Sequence, residues 1–507
     1  MAVLLCLTAC SGKKDYERVL PEDAALIAAF DLRSIAAKSG LAGETGQPAV
    51  GRLADLLKSG MEGSDGLIDN IISDPQESGL SFTDKAYFFA GARAAFAGLL
   101  MHTVDEGKLT GLLEKLEELH VCEPLREGDG CTWTVMGKVL VAYNDDAFVA
   151  VMNSGGRNPD DMQHMVAMWL RQERERSFAA TADFASMQEA ESDVAVFASL
   201  ALFPERTIRP LTMGISAALK PEDVKVLAAV RFEPGRLSAD IRSLTTDKVM
   251  QEMVSRYLEA TSPVAGSYLD VFPANTPGWA TARVDGSQLY RLLNRHPAVR
   301  HRFEHSIMPL DFRAIFSAVK GDVSFTVTNP LYGEFIAHAD VTGTSFLQTI
   351  ESLKPMIALT GGQMRLTDRG ENAYEFYAMD GSALDMRPGP LRVWFGVKEG
   401  RLYLTNREDL IDRNVLGLSL RDTEWGKTVK GKRLFASLNF ATLMELVSPS
   451  LNKDMEIPPL FVGLDKMDRL TVSMGEDRQV QIELMCKDRT KNILEQMLAL
   501  VNLSASE

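Results

Sequence analysis

Two periodicities alternate along the chain. Residues 332–341 and 469–474 alternate apolar and polar side chains, the period-two pattern of a half-buried strand. Spacings of three and four mark helices, with Leu53, Leu56 and Leu57 on one stripe and Leu109, Leu112, Leu113 and Leu116 on another. Hairpins follow one another with helices between them. That order predicts an α+β fold with a largely antiparallel sheet and helices on one face, not a parallel Rossmann sheet.

The pattern also repeats once. Phe197-Ala-Ser-Leu200 recurs as Phe435-Ala-Ser-Leu438. In the same order, Leu20-Pro21 with Asp31 parallels Phe272-Pro273 with Asp285, and the hairpin 139–153 parallels 393–406. The strand-then-helix end at 235–258 parallels 477–500, and the spacings stay within roughly 238 to 254 residues. Two tandem similar lobes are expected, residues 20–262 and 271–505, after a leader remnant and tether at 1–19. Thr261–Ser267 has a linker composition. Strand register predicts that Phe197 and Ser199 share one face, and that Phe435 and Ser437 share the same one.

At 507 residues and 46% apolar, the chain can bury a sizeable core. Its formal net charge is -15, from 54 basic and 69 acidic side chains. Such a surface repels phosphate backbones, so no nucleic-acid partner is expected. No window approaches the ~20 apolar residues of a membrane-spanning helix.

Met1 to Ala9 are apolar or small and lead into Cys10. Leu7-Thr8-Ala9-Cys10 resembles the lipobox of bacterial lipoproteins. The resemblance implies that Cys10 is diacylated and becomes the mature N-terminus, and two or three acyl chains hold a protein stably on a bilayer. No basic residue precedes Cys10, so the start of translation is expected upstream of Met1. Ser11 resembles the outer-membrane sorting choice, and the basic Lys13-Lys14 points to the periplasmic face. Together, lipobox, tether and the Leu20-Pro21-Glu22-Asp23-Ala24 stretch resemble a family of Bacteroidetes lipoproteins known only as a domain of unknown function. That resemblance spans most of residues 10–507 and implies an address but no activity.

Cys122 and Cys131 flank a turn-rich segment and are a possible disulfide across a hairpin in an oxidising compartment. Cys486 reads as a core thiol. With no CxxC pair, zinc-ribbon and thioredoxin-like chemistry are excluded.

His301-Arg-Phe-Glu304-His305 fits the inverted zinc-peptidase signature, with both histidines as ligands and Glu304 as base. Val299, Phe303, Ile307 and Leu310 form the apolar stripe, however, and the histidines project away from it. Arg291, Arg295, Arg300, Arg302 and Arg313 make this stretch basic. Gly426 to Arg433 is a near miss to a P-loop, with Arg433 in place of the magnesium-binding Ser/Thr and a strand expected after it. Asp145-Asp146 and Asp160-Asp161 read as turn and cap residues. The expected function is a non-enzymatic binding or scaffold module without a cofactor. Its partners are the membrane through its anchor and an envelope protein or glycan. The alternative is a zinc-dependent hydrolase using 301–305.

Overall fold

A computed structural model describes residues 15–41, 43, 47–60, 63–153, 159–211, 219–306, 310–384, 388–412, 415, 417–447 and 463–504. The chain divides into two units, one of residues 1–205, 221–232 and 494–507, the other of residues 206–220 and 233–493.

The strands of the first unit are β1 (Leu26–Asp31), β2 (Lys85–Ala90), β3 (Phe96–His102), β4 (Arg126–Gly128), β5 (Cys131–Met136), β6 (Val139–Tyr143), β7 (Ala147–Asn153), β8 (Val194–Ser199) and β9 (Lys225–Glu233). All pair antiparallel, in the order β4-β5-β6-β7-β3-β2-β1-β8-β9. Ile27, Tyr87, Phe89, Leu100, Val149 and Phe197 are buried on one face. The helix Pro159–Arg171 covers it, with Trp169 edge-on to Phe89 at 5.7 Å.

The opposite face is apolar as well. There the helix Glu106–Glu118 sets Leu109, Leu113 and Leu116 against Val141 and Tyr143. Helices therefore lie on both faces, which corrects the one-faced expectation. A sheet apolar on both sides exposes less oily surface when both are covered.

The second unit holds β10 (Arg236–Ser243), β11 (Thr261–Ser262), β12 (Gly278–Asp285), β13 (Val319–Asn329), β14 (Glu334–Val341), β15 (Met364–Gly370), β16 (Ala373–Ala378), β17 (Leu391–Lys398), β18 (Arg401–Thr405), β19 (Leu434–Asn439), β20 (Met467–Met474) and β21 (Val480–Cys486). Their antiparallel order is β15-β16-β17-β18-β14-β13-β12-β19-β20-β21-β10, with β11 beside the end of β12. One face packs a cluster of Trp279, Phe435, Phe272, Ile336, Leu420 and Val429. Trp425 stacks on Phe435 at 5.4 Å and 4°. On the other face, the short helices Leu347–Glu351 and Lys354–Ala358 cover Tyr374, Val397 and Phe376.

Each unit has a strand that runs straight into an aspartate-capped helix. Asp31 caps Leu32–Ser39 by accepting the Ser34 amide, and Asp285 caps Gly286–Leu293 by accepting the Gln288 amide. Pro21 bridges to Ser177, and Pro273 to Ser419. Phe197 and Ser199 are buried while Ala198 is half-exposed; Phe435 and Ser437 are buried while Ala436 and Leu438 are half-exposed.

Residues 233–262 group with the second unit because β10 pairs with β21, Leu237 opposite Leu484. Residues 494–504 group with the first, where Glu495 lies over Gly40. The expected linker is not free chain. Thr261 and Ser262 form β11, and the amides of Ala265, Gly266 and Ser267 donate to the Asp322 carboxylate at 3.1, 2.7 and 2.9 Å.

Candidate functional site

The lipobox and Cys10 lie outside the described residues. Description begins at Asp15, where the chain is already held. Tyr16, Val19 and Leu20 are buried, and Arg174 pairs with Asp15 and Glu17. Around this segment the first unit forms a cleft of about 560 Å³. Acidic Asp15, Glu17, Asp31 and Asp84 line it beside basic Arg33, Lys85 and Arg174.

The cleft wall is a linked polar network. The Tyr16 hydroxyl donates to the Lys85 carbonyl at 2.7 Å, and the Tyr87 hydroxyl to Glu17 Oε1 at 2.6 Å. Gln188 donates to the Tyr87 hydroxyl at 3.0 Å and accepts from Lys85 Nζ at 2.6 Å. Burial, then the Glu17 carboxylate, pushes both phenols far above the usual tyrosine range. The Tyr16 ring stacks on His102 at 5.0 Å and 11°.

Ser81, Asp84 and His102 also meet here, the three side-chain types of a hydrolytic triad. Their order is wrong for nucleophile activation. Asp84 Oδ2 accepts the Ser81 hydroxyl at 2.8 Å and lies 2.6 Å from His102 Nδ1. Serine thus hands its hydrogen to the carboxylate, and the imidazole is not its base. His102 Nε2 is buried without a protein partner. The arrangement can hold a polar or zwitterionic group; it is not wired to attack one.

The second unit repeats the stack in a closed form. Tyr268 stacks on His338 at 5.2 Å and 24°, with Phe272 at 5.6 Å on the same imidazole. The Tyr268 hydroxyl donates to Asp340 Oδ1 at 2.8 Å, and Asp340 Oδ2 accepts the Asp322 amide at 2.9 Å. Burial, then nearby Arg401, lowers His338 to about 4. Asp322, 0% exposed, is neutralised by Arg283 at 3.1 Å. Beside Pro273 lies an apolar cleft of about 190 Å³ whose walls include Phe272, Pro277, Ile336 and Leu410.

These tyrosines were not singled out from the sequence, although a signal exists. Tyr16-Glu-Arg-Val19-Leu20-Pro21 and Tyr268-Leu-Asp-Val271-Phe272-Pro273 share tyrosine, valine and proline at equal spacing.

The other candidates are dispersed. Cys122 and Cys131 are free thiols, which corrects the expected disulfide. The hairpin register sets Cys131 opposite Gly128 beside the turn, whereas the Glu123 amide, next to Cys122, bonds the Val135 carbonyl. Four to six residues of strand separate the two positions, on the order of 13–20 Å at ~3.3 Å per residue, against the ~7 Å Cα reach of a disulfide. Burial raises both thiols above their usual range.

His301 and His305 are exposed, their rings 4.1 Å apart, and His305 Nδ1 is turned onto the His301 carbonyl at 3.1 Å. Phe303 packs the inner side of that helix on Tyr290 and Phe316. Among the described residues, no three His, Cys, Asp or Glu side chains converge as metal ligands, and Glu304 is exposed. Arg291 and Arg295 share a cleft with Glu252 and Glu259, which offset their charge. Arg433 donates to the Leu258 and Thr261 carbonyls at 2.8 and 2.7 Å, a structural role. Asp146 pairs with Arg18 at 3.2 Å in the β6–β7 turn, and Asp160 and Asp161 stand in the first turn of their helix.

Fold and site together define an α+β protein of two antiparallel-sheet units, each carrying a buried tyrosine–imidazole stack beside a cleft. The chain belongs to the family of the domain of unknown function DUF4836, whose profile matches residues 16–494. No curated protein matches it. Among solved structures, crystal form I of TP0453 aligns at 13% identity and a TM-score of 0.28, covering 50% of this chain and 88% of that one. Crystal form IV of TP0453 aligns at 13% identity and a TM-score of 0.27, covering 46% and 83%. No helix among the described residues is long and apolar enough to cross a membrane.

Proposed function

We propose that this protein is a lipid-anchored component of a bacterial envelope that binds rather than catalyses, and that its two units are diverged copies of one α+β repeat. The observation that carries the address is Leu7-Thr8-Ala9-Cys10, followed after a short polar tether by a segment locked into the fold from Asp15. Acyl chains on Cys10 would fix the first unit's cleft near the bilayer. Asp15 is five residues from Cys10, a reach of at most ~18 Å. Outer-membrane placement facing the periplasm follows from Ser11 and the basic Lys13-Lys14, and an envelope protein or glycan is the expected partner.

The duplication is supported by the equal strand orders, the paired Asp31 and Asp285 caps and the paired Pro21–Ser177 and Pro273–Ser419 bridges. Binding is favoured by the Ser81–Asp84–His102 wiring, which leaves the serine without a base.

Palmitate labelling in the native host tests the address. The wild-type chain takes up label and fractionates with membranes, whereas Cys10→Ala takes up none and becomes soluble. A wild-type chain with an unacylated Cys10 would refute the anchor.

A further inference from the structure

The inner face of the second sheet carries polar groups that the protein leaves unanswered. β19 turns Phe435, Ser437 and Asn439 to it, and β20 sets Ser473, Thr471 and Arg469 opposite them. All six are buried. Buried polar groups are normally bonded, and others on this face are: Thr281 donates to the Val323 carbonyl and Trp279 Nε1 to the Ser324 hydroxyl, both at 2.8 Å. Among the described residues, nothing bonds the hydroxyls of Ser437, Thr471 and Ser473.

Arg469 departs further from the rule. Its guanidinium lies over the Trp425 ring at 4.6 Å, yet among the described residues no carboxylate pairs with it and no oxygen accepts from it. Asp468, the one acid that acts on it, stands on the opposite face of β20 and pairs with Arg489. Burial pushes the guanidinium below the usual arginine range. Two other arginines of this unit are answered, Arg283 by Asp322 at 3.1 Å and Arg433 by the Leu258 and Thr261 carbonyls at 2.8 and 2.7 Å. A buried cation left alone opposes folding, and an apolar side chain of similar length would not.

The geometry shows where the guanidinium goes. Trp425 stacks on Phe435, which lies along β19 from Asn439, the cross-strand partner of Arg469, by roughly 13 Å at ~3.3 Å per residue. To reach that ring, the Arg469 side chain runs along the sheet across the Ser437–Thr471 pair, which brings its fork to their hydroxyls. The polar atoms of these three side chains are not sealed, unlike Trp425 Nε1 and Thr326 Oγ1. Arg469, Ser437 and Thr471 keep 9%, 8% and 6% of their surface, the opening of a narrow recess.

The recess offers hydrogen-bond donors and one positive charge, so its occupant is an acceptor and an anion. One buried cation neutralises one negative charge; a phosphate dianion would keep the second uncompensated. A carboxylate matches both the charge and the planar two-point edge of a guanidinium, and its remaining lone pairs accept from the two hydroxyls. So small an opening admits one end of a small molecule. We propose that Arg469, Thr471 and Ser437 bind the carboxylate of a small organic acid, with Trp425 as the wall that holds the guanidinium in place. The site lies in the second unit and depends neither on the anchor at Cys10 nor on the cleft of the first unit.

The test uses the full chain carrying Cys10→Ala, dialysed free of organic acids and titrated calorimetrically with sodium acetate, benzoate, chloride and phosphate at equal ionic strength. Saturable binding of acetate or benzoate at one site is expected, with chloride and phosphate at least tenfold weaker. Arg469→Met abolishes it. Arg469→Lys, which keeps the charge but not the fork, weakens it at least tenfold, and Thr471→Val weakens it severalfold. Without ligand, the melting temperature of Arg469→Met holds or rises, because the unpaired charge is gone. If Arg469→Met does not fold, Arg469→Lys and Thr471→Val decide. No saturable binding of either carboxylate, or binding unchanged in the folded variants, overturns the site. Chloride or phosphate binding as tightly as the carboxylates overturns the ligand class. A lower melting temperature in Arg469→Met with wild-type binding in Arg469→Lys would make the arginine a prop for Trp425 and overturn the proposal. Palmitate labelling of Cys10 is read separately, so failure here leaves the anchor standing.

Discussion

Acid should loosen the second unit through His338, and His338→Phe should remove that sensitivity. The imidazole lies between the rings of Tyr268 and Phe272, 5.2 and 5.6 Å away, and its Nδ1 is buried without a partner. The charged groups of its surroundings are Arg401, whose guanidinium lies over Tyr268, and Asp340, whose Oδ1 accepts from the Tyr268 hydroxyl. Folding lowers His338 from 6.5 to about 4, so between these values the unfolded chain holds a proton that the folded chain does not. Stability from this group is complete above pH 6.5 and is lost as pH falls toward 4, by about 3 kcal/mol at ~1.36 kcal/mol per unit. Phenylalanine fits the same aromatic slot and has nothing to protonate. Urea unfolding followed by the fluorescence of buried Trp279, at several values between pH 7 and 4, compares wild type with variant. Other carboxylates affect both proteins equally, so the difference isolates His338. Parallel losses, differing by less than ~1 kcal/mol, would refute a buried neutral imidazole.

Asp322→Ala strands the amides of Ala265, Gly266 and Ser267 and the Arg283 guanidinium; a loss of about 3–5 kcal/mol in urea unfolding is expected. Gly286→Ala drives a methyl group to 1.9 Å from the Phe316 carbonyl and should cost about 2–3 kcal/mol. Gly343→Ala, in open space, should stay within ~0.5 kcal/mol by thermal melting. In residues 11–507, unfolded without reductant, Ellman's reagent should count the thiols of Cys122, Cys131 and Cys486; two missing equivalents would contradict the β4–β5 register. His301→Ala should leave both melting temperature and zinc content, measured by atomic emission, unchanged.

The hairpins at 139–153 and 393–406 were legible because alternation extends through both strands and the turn. The Leu109–Leu116 stripe was legible because its spacing matches one helical face. Alternation names two faces of a strand, however, not which one is buried. On β20 hydropathy alone assigns the inside to Leu470, Val472 and Met474, and the fold puts Thr471 and Ser473 there. Nor does alternation name a strand's partner, so the pairing of β10 with β21 was invisible. Tyr16 and His102 come from distant segments, and their stacking is a product of the assembled sheet. The exposed placement of His301 and His305 was readable, since the stripe through Val299 and Phe303 leaves only the outer side for them.

The pairing of Arg236 with Met485 also sets a schedule for biogenesis. Roughly 250 residues must follow β10 before its partner exists, and at ~5–20 residues per second this takes about 12–50 s of synthesis. Throughout, Leu237, Ala239 and Ile241 form an apolar strand edge with no β21 beside it. Closing so long a loop is entropically slow, and an open edge invites association with other nascent chains. The last strand of the second sheet therefore acts as a timer: until residue 486 has emerged, β10 has no β21 to close that edge.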